Sequence, residues 1–220
     1  MAPEDPEEPQ FQPYQVIKDV GETLISLLKA HRDTTGLKPD EIVLSSPADV
    51  SPGDPIRLSL FLYQIIENPY MKNIGEEAVD ETRFRHTPLY LDLVYMMTAY
   101  SGDTSDTTEK MNDARILGWA MQVFHDHSVI TGPDLTGYLP HAVDAIRITM
   151  NPMTLDEMTK IWTTFPQKPF RPSVCYLVSP VKIESTREEE YPTRVTTKEM
   201  DYRYLLKKGL RGQGGRSDGN

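Results

Sequence analysis

The side chains best suited to chemistry in this chain are five histidines, a single cysteine and a glycine-rich run. His125 and His127 flank Asp126, a trio whose imidazole and carboxylate donors are of the kind that ligate zinc. Their spacing argues against it. On a helix, residues two apart point about 200° apart, so the pair converges on one ion only if the helix has already ended. The alternative is electrostatic, since imidazoles near a helix C-terminus are favoured by the dipole there. His31, His86 and His141 fall in different expected elements, and no serine or cysteine sits in a nucleophile elbow or triad context.

Cys175 lies in an apolar, strand-like stretch, whereas a reactive thiol wants an electropositive, partly exposed setting. With no second cysteine there is no intrachain disulfide framework. The run GLRGQGG at 209–215 lacks the helix that must follow a phosphate-binding loop. Its neighbours Lys207, Lys208, Arg211 and Arg216 suit either contact with an acidic surface or a solvated end. Trp119 and Trp162 lie on amphipathic stretches and read as core rather than as ligand platforms. Tyr202, Tyr204 and Leu206 alternate, as in an arm that adds a strand to another chain's sheet edge; a short helix on the same domain is the alternative. We therefore expect no catalytic, cofactor-binding or metal-ligating residue, and a chain that is not an enzyme.

Composition narrows the class further. In 220 residues, 23 basic and 33 acidic side chains give a formal charge of -10, a poor match to a phosphate backbone, so no nucleic-acid partner is expected. The hydrophobic fraction of 38% supports one core. The N-terminus is acidic and rich in proline, unlike a secretory signal, and no apolar run approaches the ~20 residues that span a bilayer. A soluble protein assembled in the cytoplasm is expected.

The elements that would position these groups follow from periodicity. Residues 1–13, with Pro3, Pro6, Pro9 and Pro13 among acidic side chains, form an expected disordered leader. Ile17, Val20, Leu24, Leu27 and Leu28 mark a first helix between Tyr14 and Arg32, with Gly36 as its stop. Residues 41–45 read as a short strand and 46–55 as a loop. Residues 56–67 are apolar on both alternating sets, which predicts a central strand covered on both faces, although periodicity alone also suits a buried helix. Residues 68–88 form a polar excursion, an expected hairpin or arm. Residues 89–100 then return as an antiparallel neighbour of 56–67.

A second helix is expected from the possible capping box Asp106/Glu109 to near His127, with Met111, Leu117, Ala120, Met121 and Phe124 turned inward. A loop opened by Gly132 and Pro133 leads to a strand at 143–150. Thr154 and Glu157 predict a third, capped helix with Leu155, Met158, Ile161, Trp162 and Phe165 on its apolar face, ended by Pro166. From Ser173 the chain alternates as a strand that Pro180 interrupts and Val181 and Ile183 resume. The fold class is α/β (α+β): a mixed, largely antiparallel sheet flanked by helices. One domain over 14–185 is expected, followed by a C-terminal extension over 186–220.

Taken together, the segments LSLFLYQIIENPYMKN (58–73), PLYLDLVYMMTAYSGD (88–103) and ARILGWAMQVFHDHSVI (114–130) resemble the N-terminal domain of the cap, or tube-terminator, protein of phage-tail-like contractile injection systems of the virulence-cassette and antifeeding-prophage type. The resemblance runs from Tyr14 to Ser185. It implies a phage tail-terminator-like fold and a structural role: a hexameric ring that closes the end of the particle opposite the baseplate. Implied partners are further copies of the chain, the inner-tube protein and the sheath protein; residues 194–206, which lie outside the resemblance, are expected to reach the sheath by strand addition. The family pattern carries no catalytic residue and no cofactor. The alternatives are another structural or adaptor subunit of the same particle, sheath or baseplate-associated, and a small cytosolic hydrolase. Membrane contact is left open, as is whether the finished particle is extracellular or membrane-associated.

Overall fold

In the computed structural model, which describes residues 12–80, 82–100 and 107–190, the central strands are those whose side chains alternate between two apolar environments. Leu89–Ala99 (β5) turns Leu91, Leu93, Tyr95, Met97 and Ala99 to one core and Met96 to another. It lies between Leu58–Glu67 (β2) and Ser173–Ile183 (β8), antiparallel to both. Beyond β2 runs the three-residue Ile42–Leu44 (β1), parallel to it. Beyond β8 come Ala145–Met150 (β7) and Val129–Thr131 (β6), so the six-stranded order is β1-β2-β5-β8-β7-β6. This is the mixed, largely antiparallel sheet expected from the sequence.

The larger core lies under Val16–Ala30 (α1), Thr107–Asp126 (α2) and Leu139–Ala142 (α3). Val16, Val20, Leu24 and Leu28 recur every four residues and are fully buried. Burial of each is worth about 1.5–3 kcal/mol, which is why this stripe, rather than helix propensity, holds α1. Phe124 of α2 meets Tyr176 of β8 edge-on at 5.0 Å. The opposite sheet face carries a smaller cluster, in which Met158 and Trp162 of Leu155–Trp162 (α4), with Phe165, cover Met96 and Cys175.

A hairpin of Glu77–Ala78 (β3) and Arg83–Arg85 (β4) occupies the expected arm, and Glu188–Glu190 (β9) pairs with β4 to make a separate three-stranded sheet. The capping box at Thr154 is present: its hydroxyl accepts from Glu157 N at 3.3 Å, and the Glu157 carboxylate accepts from Thr154 N at 2.9 Å.

Several expectations need correction. Leu155 and Met111, placed on apolar helix faces, are 73% and 71% exposed. Leu155 is the first residue of α4, before the helix reaches the core, and Met111 lies in α2 ahead of its buried stretch, which begins at Ile116. Only the first half of β2 is covered on both faces; Gln64–Glu67 are exposed because β1 stops after three residues and α4 covers only the other half of the sheet. Pro180 does not break β8. The ladder with β5 shifts register between Leu91 and Leu93, opposite the cis Ser179–Pro180 bond, and a bulge is where a strand tolerates proline. The loop read from Gly132 to 143 holds α3, and β6 lies just before it; both are too short to show a period. The capping box at Asp106 lies outside the described residues.

Candidate functional site

The residues singled out for chemistry are dispersed by the fold, with one exception. The rings of His31 and His127 come together at 4.3 Å between centroids, one just past α1 and the other just past α2. Each engages its own helix: His31 Nδ1 pairs with Leu27 O at 2.9 Å and His127 Nδ1 with Val123 O at 3.1 Å. Trp119 Nε1 donates to His31 O at 3.1 Å and ties the two helix ends together. His86 is exposed in the arm and His141 is exposed beside Tyr138. Among the described residues, no three His, Cys, Asp or Glu side chains are grouped to hold a metal. Cys175 is buried at 2% exposure, and burial pushes its thiol above the ordinary value. Tyr202, Tyr204, Leu206 and the glycine-rich run lie outside the described residues.

The fold instead concentrates polar interactions where the arm meets the body. Glu184 accepts from Arg85 Nη1 at 2.9 Å and from the Tyr138 hydroxyl at 2.8 Å. Lys182 pairs with Glu77 at 2.8 Å and with Glu184 at 3.3 Å. Burial alone would lower the Lys182 pKa, but its bonds to the two carboxylates outweigh that and leave it raised. Burial and the bond to Glu184 likewise raise Tyr138. Arg83 and Arg85 both reach Glu188 of β9, at 3.7 and 3.5 Å. These pairs couple β3, β4 and β9 to the end of β8 and to the start of α3, so the arm is held as part of the body.

One further lock sets that end of the molecule. Gly137, at φ +62°, approaches the buried Asp19 so closely that a β-carbon would lie 2.4 Å from its carboxylate. Asp19 Oδ2 accepts from Tyr138 N at 2.8 Å, while Thr136 Oγ1 donates to Asp19 O at 3.0 Å. At the strand exit, Asn68 Nδ2 donates to Asp92 Oδ1 at 2.8 Å and Ser179 Oγ donates to the same oxygen.

The opposite end of the sheet has a cleft of about 640 Å³ lined by Arg57, Tyr100, Trp162, Lys168, Pro169 and Arg171. Two of its cations are engaged within the chain: Arg171 pairs with Asp113 at 3.3 Å and stacks over Tyr100 at 5.3 Å, and Lys168 donates to Val50 O. Beside the cleft, α4 and its corner meet β2 through Phe165, whose ring lies edge-on to Phe61 at 5.8 Å. Among the described residues, nothing at this cleft converges as nucleophile, base and oxyanion donors would.

What remains is surface. Leu44, Ile65, Ile66, Val129 and Met150, each between 40% and 49% exposed, all lie on the outer strands or the strands next to them. Sequence reasoning missed them, because 56–67 read as fully covered. The signal was the mismatch in length between the strand at 41–45 and the apolar run at 56–67.

The structure superimposes on the sheath/tube terminator, in its extended state, of an extracellular contractile injection system of the PVC type, with a TM-score of 0.60 and 16% identity over 91% of this chain and 72% of that one. It also superimposes on the tube-terminating cap of the anti-feeding prophage, with a TM-score of 0.55 and 16% identity over 84% of this chain and 60% of that one. At this identity the likeness establishes the fold. No curated protein matches the sequence. The family model described as the Pvc16 N-terminal domain matches residues 19–197, well over half of the 220 residues. The chain is a member of the Pvc16 N-terminal domain family.

Proposed function

We propose that this protein caps a contractile injection system, closing the non-baseplate end of its inner tube and sheath as a ring. The family match across residues 19–197 carries the reading, and the fold shared with a sheath/tube terminator and a tube-terminating cap supports it. The physical need is plain. A stack of rings joined head to tail has no intrinsic end, because each added ring presents the same surface again. A terminator binds that last surface with one face and offers a non-propagating face outward.

In this reading residues 14–185 form the ring-building domain and residues 68–88 its arm. The extension 186–220 reaches the sheath through 194–206, whose alternating tyrosines suit strand addition. The ring is hexameric, and its partners are the inner-tube and sheath proteins. The role is structural and non-enzymatic, supported by the fold shared with a sheath/tube terminator and a tube-terminating cap and by the burial of Cys175. Assembly takes place in the cytoplasm and the chain leaves with the extracellular particle; among the described residues no helix is long and apolar enough to cross a membrane. The test is imaging of particles carrying labelled protein. Label at the non-baseplate tip, together with tubes of uncontrolled length when the protein is absent, is expected. Label along the wall or at the baseplate would assign the chain to another subunit of the particle.

A further inference from the structure

The capping reading makes no use of the cleft beside α4. Its volume of about 640 Å³ is of the size that holds a ligand. It is lined by the exposed Pro52, Pro55, Pro166 and Pro169 and by the buried rings of Tyr100 and Trp162. Ring faces of this kind pack against a proline-rich peptide, whose polyproline II conformation is already formed before it binds. Trp162 Nε1 is buried there without an acceptor among the described residues, so a donor is left over at this wall.

The charge of the cleft is opposite to that of the chain. The whole carries a formal charge of -10, whereas the lining holds Arg57, Lys168 and Arg171 against one carboxylate, Asp54, which accepts from Ser51 N at 2.6 Å. Arg57 has no side-chain partner among the described residues. The Lys168 ammonium has three donors and spends one on Val50 O. The site therefore suits an acidic peptide with regularly spaced prolines. The chain itself contains one: residues 3–9 read PEDPEEP. Polyproline II repeats every three residues. In that geometry Pro3, Pro6 and Pro9 form one edge, Glu4 and Glu7 the second, and Asp5 and Glu8 the third.

We propose that this cleft is a peptide site and that the chain's own acidic leader, residues 3–9, occupies it, with its proline edge against the rings and its carboxylates toward Arg57 and Lys168. The leader of the same copy reaches. Gly21, eight residues after Pro13, lies against Leu44, and Leu44 is three residues before Pro47 of the lining. At a helical rise of 1.5 Å and an extended 3.6 Å per residue, that path puts Pro13 at most about 30 Å from Pro47. Pro3, ten residues before Pro13, reaches about 31–36 Å from it in a polyproline II or fully extended chain. The contact is internal to one chain and is read without tube or sheath, so it stands or falls apart from the capping reading.

The experiment uses the full chain with Ala2→Cys carrying a nitroxide spin label; the native Cys175 is buried and stays unlabelled. In the nitrogen-15 NMR spectrum, the Trp162 indole signal and the amide signals of Gly53, Asp54 and Lys168 should lose intensity well beyond the rest of the body. The loss should disappear in about 1 M salt, where the Debye length is ~3 Å, and on neutralising the leader with Glu4→Gln, Asp5→Asn, Glu7→Gln and Glu8→Gln together. Pro6→Gly with Pro9→Gly should also abolish it, and so should Arg57→Gln. The leader substitutions lie outside the folded body, so they test the contact even if the Arg57 variant is destabilised. Broadening spread evenly over the surface would overturn the proposal. A loss that survives neutralisation would do the same, as would one that ignores the proline substitutions, since charge alone would then explain it. When spin label and nitrogen-15 are placed on different chains and mixed, the signals should stay intact; a loss there would show a second copy's leader in the cleft and overturn the assignment to the same chain.

Discussion

Replacing Gly137 by alanine tests the lock between α1 and α3, and its cost can be worked from two separable terms. At φ +62° an L-residue pays about 1–2 kcal/mol for the left-handed conformation. The new methyl would also sit 2.4 Å from the Asp19 carboxylate, whose residue is 3% exposed and cannot swing out to solvent. Relief requires Asp19 to give up its bond from Tyr138 N, a charge-assisted bond worth about 1.5–3 kcal/mol. The sum is about 2.5–5 kcal/mol, or a fall in Tm of about 5–20 °C at 2–4 °C per kcal/mol for a chain of this size. Gly36→Ala is the internal control: its φ is +75° but nothing lies within 4 Å of the added carbon, so only the backbone term applies. Gly118→Ala, in the middle of α2 with open space around it, should instead stabilise by up to about 1 kcal/mol. Thermal melts followed by circular dichroism, with urea titrations to confirm an unchanged slope, give all three values. If Gly137→Ala melts within 2 °C of Gly36→Ala, the contact with Asp19 contributes nothing and the reasoning fails.

Three other outcomes follow from the structure. Glu157 is held below its ordinary value of 4.5 chiefly by the Thr154 backbone N–H, so its contribution is complete above that value and is lost as pH falls through the depressed one; the Tm gap between the parent and Glu157→Ala should close on acidification, and a gap constant from pH 7 to 3 would contradict this. Arg85→Met removes the guanidinium that joins β4 to Glu184 and Glu188. Because these pairs are only partly buried, the expected cost is about 1–2 kcal/mol, with faster amide exchange confined to β3, β4 and β9 as the diagnostic readout. Cys175, buried and with its thiol pushed up by burial, should resist iodoacetamide at pH 8 in the folded protein and react fully in urea, which mass spectrometry would show; rapid labelling of the native protein would argue against its placement in the core.

Local chemistry was legible in the chain wherever neighbours in sequence are also neighbours in space. The capping box of Thr154 and Glu157, the four-residue stripe of α1 and the antiparallel return of 89–100 onto β2 each depend on short-range spacing or on a single connection. The resemblance of three segments to the cap family likewise needed no coordinates. Exposure was not legible. Leu155 and Met111 fit their helical stripes by period, yet among the described residues nothing covers them, and a period records direction without recording whether a partner stands there. The same holds for Ile65 and Ile66: their apolarity was plain, but only pairing across the sheet showed that β1 ends short of them. The seating of the arm rests on Glu184 meeting Arg85 and Tyr138 from 99 and 46 residues away. Sequence by itself determined which residues want an apolar neighbour or a cap, because those preferences belong to the side chain and its nearest turns. Tertiary structure alone decided which of those wants were met within the chain and which were left on its edges, because that depends on where short strands stop and on what the chain brings back to cover them.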